Sequence, residues 1–210
     1  MSSYLGELSL AANVCLFNFI TIIFMIPMGI SFSSTALVGI AIGQGNVARG
    51  KKISLLALAT GVCISIITTL VVIIFKWSIP YMYTTEVAVA DLVTSLLKIY
   101  VWFGLLDGVQ IILHGIIKGI GKQAIASVIC LVVLYPINIP VAYFFAWPCG
   151  YGVFGLWYSQ ILSIVLLLVS YTTILTTYNW QQISDEVREN MHHHKRHTKA
   201  PPAEVGDKMN

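Results

Sequence analysis

Four polar residues sit where an otherwise apolar stretch would run without interruption. In VWFGLLDGVQIILHGIIKGIGKQ (Val101–Gln123), Asp107, Gln110, His114 and Lys118 are separated by three, four and four positions. That spacing puts them on one face of a helix. The positions between them, Leu105, Val109, Ile112 and Ile116, are apolar, so the stretch predicts a lipid-compatible helix with one polar stripe. Asp107 falls about midway along the helix expected over 92–117. A charge at the centre of a membrane span costs a few kcal/mol on insertion scales, so such acids usually face a cavity or a partner and mark ion or proton pathways. Two roles are open for Asp107: a titratable carboxylate that binds a proton or a cation, or a carboxylate that only hydrogen-bonds a neighbouring helix. Gln110 can contact a substrate or glue helices together. His114, near the more basic end, can titrate near neutrality or pack as a satisfied interface residue. Lys118 belongs with the basic turn that follows.

Composition decides what kind of element carries these residues. Of the 210 residues 57% are hydrophobic and 10% charged, with a mean hydropathy of +0.82, whereas soluble domains are about a quarter charged. No charge occurs from Leu8 to Ala48, from Ile53 to Phe75, or from Gln123 to Ser184. Uncharged apolar runs of about 18 residues or more read as membrane-spanning helices. The chain is therefore expected to be an all-α polytopic membrane protein with about five transmembrane helices. Their expected positions are 10–38, 53–75, 92–117, 123–146 and 152–178, within a membrane domain over 1–180. The first should be interrupted by Pro27 and closed by the Gly-rich GIAIGQGN. The fourth and fifth are divided at WPCGYG, where Pro and Gly break a helix. Residues 181–210 are polar and predict a disordered cytoplasmic tail.

The basic residues alternate from side to side. Arg49, Lys51 and Lys52 follow the first span, Lys118 and Lys122 the third, and Arg188, Lys195, Arg196, Lys199 and Lys208 the fifth, against Lys76 alone after the second. Positive residues gather on the cytoplasmic side, which predicts the N-terminus outside and the C-terminus in the cytoplasm. MSSYLGEL lacks the features of a signal peptide, so an outside N-terminus suggests either a missing upstream span or a misplaced gene start, and the chain is expected to be a fragment or a half that needs a partner. The lipid bilayer is the first partner. A net charge of +3 with basic residues confined to loops and tail gives no reason to expect nucleic acid.

Other polar residues add candidates for a cavity lining. Asn18 lies with Asn13 in the first span. Asn138 sits between Pro136 and Pro140, where broken hydrogen bonding can expose carbonyls, and Tyr135 and Tyr143 flank it. Each of these can equally be packing. Cys15, Cys63 and Cys130 lie inside apolar runs without CxxC spacing and read as small apolar side chains; the state of Cys149, in the WPCGYG turn, is open. The HHHKRH cluster offers at most a weak metal site without a fixed geometry. With no GxSxG, HExxH or P-loop, an enzyme is not expected.

Taken together and in order, three stretches resemble the multidrug and toxin extrusion (MATE) transporters, nearest the eukaryotic branch. LAANVCLFNFITIIFMIPMGISFSSTALVGIAIGQGN is similar to that family's eighth helix, with its PxGxS…VGNxLGxGN pattern. GIIKGIGKQ is similar to its GVLRGxGxQ turn, and YGVFGLWYSQ to the GVxGLWxG opening of its twelfth helix. The resemblance covers Leu5 to Trp180. It implies helices 8–12 of a twelve-helix fold, a partial C-terminal lobe, with the N-terminal lobe and helix seven to be supplied from elsewhere. In the family, two lobes enclose a central cavity with alternating access and export organic cations and other xenobiotics in exchange for protons or sodium, eukaryotic members generally using protons. No cofactor beyond that coupling ion, H+, is implied. The family's tenth helix carries an acid eight positions before the first Gly of the turn; counted from Gly115, that position is Asp107. Leu37 and Ile40 stand where the family has Arg and Asn, and Cys130 and Asn138 where it has Asn and Gly, while the following Pro140 is kept. The resemblance thus implies a multidrug antiporter lobe. The competing expectation is a truncated, non-transporting fragment acting as a structural or regulatory partner of a full-length transporter.

Overall fold

A computed structural model of the chain describes residues 6–198, with side chains described for residues 6–189. The helices are α1 (Glu7–Gly43), α2 (Val47–Phe75), α3 (Val87–Gly119), α4 (Gln123–Val132), α5 (Asn138–Ala146), α6 (Val153–Thr177) and α7 (Trp180–Thr198). A single 3-10 turn, Pro80–Met82, precedes α3, and a π-helical turn, Val133–Ile137, joins α4 to α5. No strand occurs among the described residues. Among the described residues, five helices are long and apolar enough to cross a membrane: α1, α2, α3, the α4–π–α5 unit over Gln123–Ala146, and α6.

Their boundaries are set by caps rather than by hydropathy. α1 continues through Pro27 to Gly43. There Gly45 takes φ +80°, and the Asn46 amide reaches back to the Ala41 carbonyl at 2.9 Å. α3 ends in the same way, with Gly121 at φ +80° and the Lys122 amide on the Ile117 carbonyl at 3.2 Å. A left-handed residue with a backbone bond from the next position closes a helix at little cost when that residue is glycine. Asn46 then caps α2, its side chain accepting from the Arg49 amide at 3.0 Å. α2 therefore starts at Val47, earlier than expected, and its first turns carry Arg49, Lys51 and Lys52. The π-helical turn contains Pro136. Proline has no amide to donate and clashes with the carbonyl four residues back, and a widened turn relieves both.

α3 is the pivot of the bundle. It packs on α1, α2, α4 and α6. Its expected lipid-facing side is instead interior: Ile112 and Ile116 are fully buried, in one apolar cluster with Val38, Ile42 and Ile120. Small residues permit the approach. A Cβ on Gly61 would overlap Ile112, one on Gly108 would overlap Ser65, and one on Gly115 would overlap Ser31. Between α1 and α3, Ser31 Oγ donates to the Ile111 carbonyl at 2.9 Å and Thr35 Oγ1 to the Gly115 carbonyl at 2.7 Å. Small residues with interhelical hydroxyl bonds are how membrane helices associate when lipid is as apolar as the core.

The segment after α6 corrects the sequence expectation of a disordered tail. Trp180–Thr198 is helical. Trp180, Ile183 and Val187 recur at helical spacing, and their side of α7 packs onto the cluster around Ile42 and Ile120. Ser184 Oγ donates to the Ile42 carbonyl at 2.9 Å, Trp180 Nε1 to the Leu175 carbonyl at 3.1 Å, and Lys122 pairs with Glu186 at 3.2 Å. A polar mean composition hid this apolar face, which is three residues wide. The stretch KAPPAEVGDKMN and the side chains of HHHKRH lie outside the described residues.

Candidate functional site: a polar cavity on the third helix

The stripe on α3 opens into a cavity of about 370 Å³. Asp107, Gln110, His114 and Lys118 all line it, as the spacing requires. The rest of the wall comes from α1 through Phe24, Met28, Ser31 and Phe32, from Cys130 of α4 and Leu134 of the π-helical turn, and from Gln160, Ile164 and Leu167 of α6. α3 thus supplies the charged and titratable stripe, Ser31 and Gln160 add polar groups from α1 and α6, and the remaining wall is mostly apolar. Such a site is mostly apolar with a few convergent polar groups, the usual make-up of a small-molecule pocket.

Asp107 is half-buried. The ion pair among the described residues is Lys122–Glu186, so no described base neutralises Asp107. Phe24, Phe32 and Phe103 line the same cavity as Asp107. Gln110 is buried on the same stripe. His114 is fixed by α6: its Nδ1 lies 3.0 Å from the Tyr171 hydroxyl, and the two rings are 5.4 Å apart. Tyr171 is fully buried and donates in turn to the Ala126 carbonyl at 3.3 Å.

Asn138 lies in a second, adjoining cavity of about 220 Å³, with Asn13, Phe17, Trp157 and Gln160. Its Nδ2 donates to Gln160 Oε1 at 3.0 Å, and its Oδ1 is buried without a hydrogen bond among the described residues. Gln160 lines both cavities and connects them. Asn18 and Tyr135 are exposed on the surface of the bundle and line neither cavity; Tyr135 is 62% exposed. The sequence reading did not single out Gln160 or Tyr171. A lone amide in a charge-free span was the available signal for Gln160. Nothing local marks Tyr171, whose partner is 57 positions away. No cluster of His, Cys, Asp or Glu suited to a metal occurs among the described residues, and the four cysteines are free.

Known proteins share this architecture. A multidrug and toxin extrusion protein 2 from Oryctolagus cuniculus is 24% identical over 185 residues, covering 88% of this chain and 31% of the relative. A multidrug and toxin extrusion protein 1 from Danio rerio is 26% identical over 186 residues, covering 89% and 32%. The chain therefore spans about a third of the length of these relatives. Among solved structures, the eukaryotic MATE transporter AtDTX14 superposes with a TM-score of 0.83 at 21% identity, over 88% of this chain and 41% of that one. An outward-facing multidrug resistance MATE family transporter gives 0.77 at 19% identity, over 84% and 39%. Five apolar spans, the polar face of α3 and a family model, MatE, that matches residues 1–144 lead to one conclusion: this integral membrane protein belongs to the MatE family.

Proposed function

We propose that this chain forms one lobe of a proton-coupled exporter of organic cations, with Asp107 as the group for which proton and substrate compete. The observation that carries the reading is a mid-span carboxylate with no described basic partner, in a cavity of about 370 Å³ walled by aromatic rings. An organic cation suits such a place, because the carboxylate supplies charge and the ring faces attract cations. A carboxylate that holds either a proton or a cation gives exchange, since each ligand must leave before the other binds. One carboxylate lines the cavity among the described residues. A hard metal cation prefers several oxygen ligands, which favours the proton as coupling ion. Export of more than one drug is what the relatives' names say of those proteins, and their greater length supports a second lobe closing the cavity from the other side.

The test is uptake of ethidium, a fluorescent organic cation, into proteoliposomes holding the intact protein under an imposed pH gradient. Gradient-driven uptake should fall at least tenfold in Asp107→Asn. Uptake equal to that of the unsubstituted protein would remove Asp107 from the mechanism.

A further inference from the structure

His114 is seven residues beyond Asp107 on the same face of α3, and Tyr171 of α6 holds it. The Tyr171 hydroxyl has one proton, and the Ala126 carbonyl 3.3 Å away can only accept it. The hydroxyl oxygen accepts from His114, 3.0 Å away, in the tautomer whose neutral ring carries its proton on Nδ1. The lone pair is left on Nε2, which has no hydrogen-bond partner among the described residues. A proton added there breaks none of the bonds that hold the ring.

We propose that His114 is a second proton-binding group of the cavity, whose charged form weakens the binding of an organic cation at Asp107, and that Tyr171 is the residue that positions it. The proposal rests on the reading that Asp107 receives the cation. Seven helical residues rise about 10 Å. Two positive charges at that separation, at an effective dielectric of about 20, repel enough to weaken binding roughly tenfold. Proton arrival would thus push the substrate out through repulsion as well as by competition at the carboxylate. The titratable groups around the imidazole are Asp107 and Lys118 on α3, Tyr171 on α6 and Cys130 on α4. α1 brings Ser31 and apolar side chains to the cavity, and α2 packs on the opposite face of α3 through Gly61 and Ile112.

The experiment measures ethidium binding to the intact protein in detergent between pH 8 and pH 5, together with nitrogen-15 spectra of labelled histidine. Replacing His192, His193, His194 and His197 with glutamine leaves His114 as the one imidazole signal from this chain. Affinity should weaken in two stages as pH falls, and His114→Gln should lose one stage, flattening the profile by about tenfold whatever its absolute affinity. Tyr171→Phe should keep both stages but lose the Nδ1–H signature. Because coupling is reciprocal, saturating ethidium should weaken proton uptake at His114 by the same factor, a readout that survives if His114→Gln does not fold. An unaltered profile in His114→Gln, a neutral ring protonated on Nε2, or proton uptake insensitive to ethidium would overturn the proposal. Failure of the underlying reading shows separately, as undiminished ethidium binding by Asp107→Asn.

Discussion

Replacing Gly115 with alanine should force α1 away from α3. The new Cβ would overlap Ser31 Oγ and lie 2.6 Å from the Ser31 carbonyl oxygen and 3.0 Å from its Cα. The hydroxyl can rotate aside, but the backbone atoms cannot, so α1 must recede by about 0.8 Å to reach ordinary contact distance. Rotation of the hydroxyl breaks the 2.9 Å bond from Ser31 Oγ to the Ile111 carbonyl, and the movement stretches the 2.7 Å bond from Thr35 Oγ1 to the Gly115 carbonyl to about 3.5 Å, the edge of hydrogen-bonding range. Interhelical bonds in membranes contribute about 0.6 kcal/mol each on average, and overpacking a close contact costs about 1–3 kcal/mol. The expected loss is therefore about 2–4 kcal/mol, read as a lower midpoint of thermal unfolding in detergent. Gly29→Ala is the control, since a Cβ there meets nothing within 4 Å; alanine in a helix interior should be neutral or gain up to about 1 kcal/mol. A Gly115→Ala protein as stable as Gly29→Ala would refute the close-packing account of this interface.

Trp180 is 7% exposed, donates to the Leu175 carbonyl and has Lys51 Nζ 5.9 Å above its ring. Trp180→Ala should cost about 3 kcal/mol of α7 docking and raise tryptic cleavage at Arg188 roughly a hundredfold; equal cleavage would mean that α7 is not held by this anchor. Glu186→Gln should do far less: its ion pair with Lys122 is half-exposed and worth no more than about 0.5 kcal/mol, so a shift in cleavage above about threefold would contradict that ranking. Cys149 is exposed in the turn before α6, and the arrangement of basic residues predicts that turn outside. A membrane-impermeant maleimide should label intact cells at Cys149 and not in Cys149→Ser; labelling only after permeabilisation would invert the orientation.

The sequence by itself determined the spans and the polar stripe, because both depend on local quantities. An uncharged apolar run of sufficient length has no alternative to a helix in lipid, and positions 107, 110, 114 and 118 share a face whatever surrounds them. Glycines at the left-handed ends of α1 and α3 were legible as turns for the same reason. The tertiary structure decided which surfaces meet. Ile112 and Ile116 look fit for lipid in the sequence and are interior in the fold, because an apolar side chain is equally content in either place and only the helix partners choose. The polar mean of residues 181–198 concealed a docking face that becomes visible once Ser184 reaches Ile42, 142 positions away. In the same way Tyr171 gains meaning only through His114, and Gln160 only through the two cavities it joins. No periodicity along one helix encodes a contact with another; such contacts come from the packing of small residues that brings α1, α3 and α6 within reach of one another.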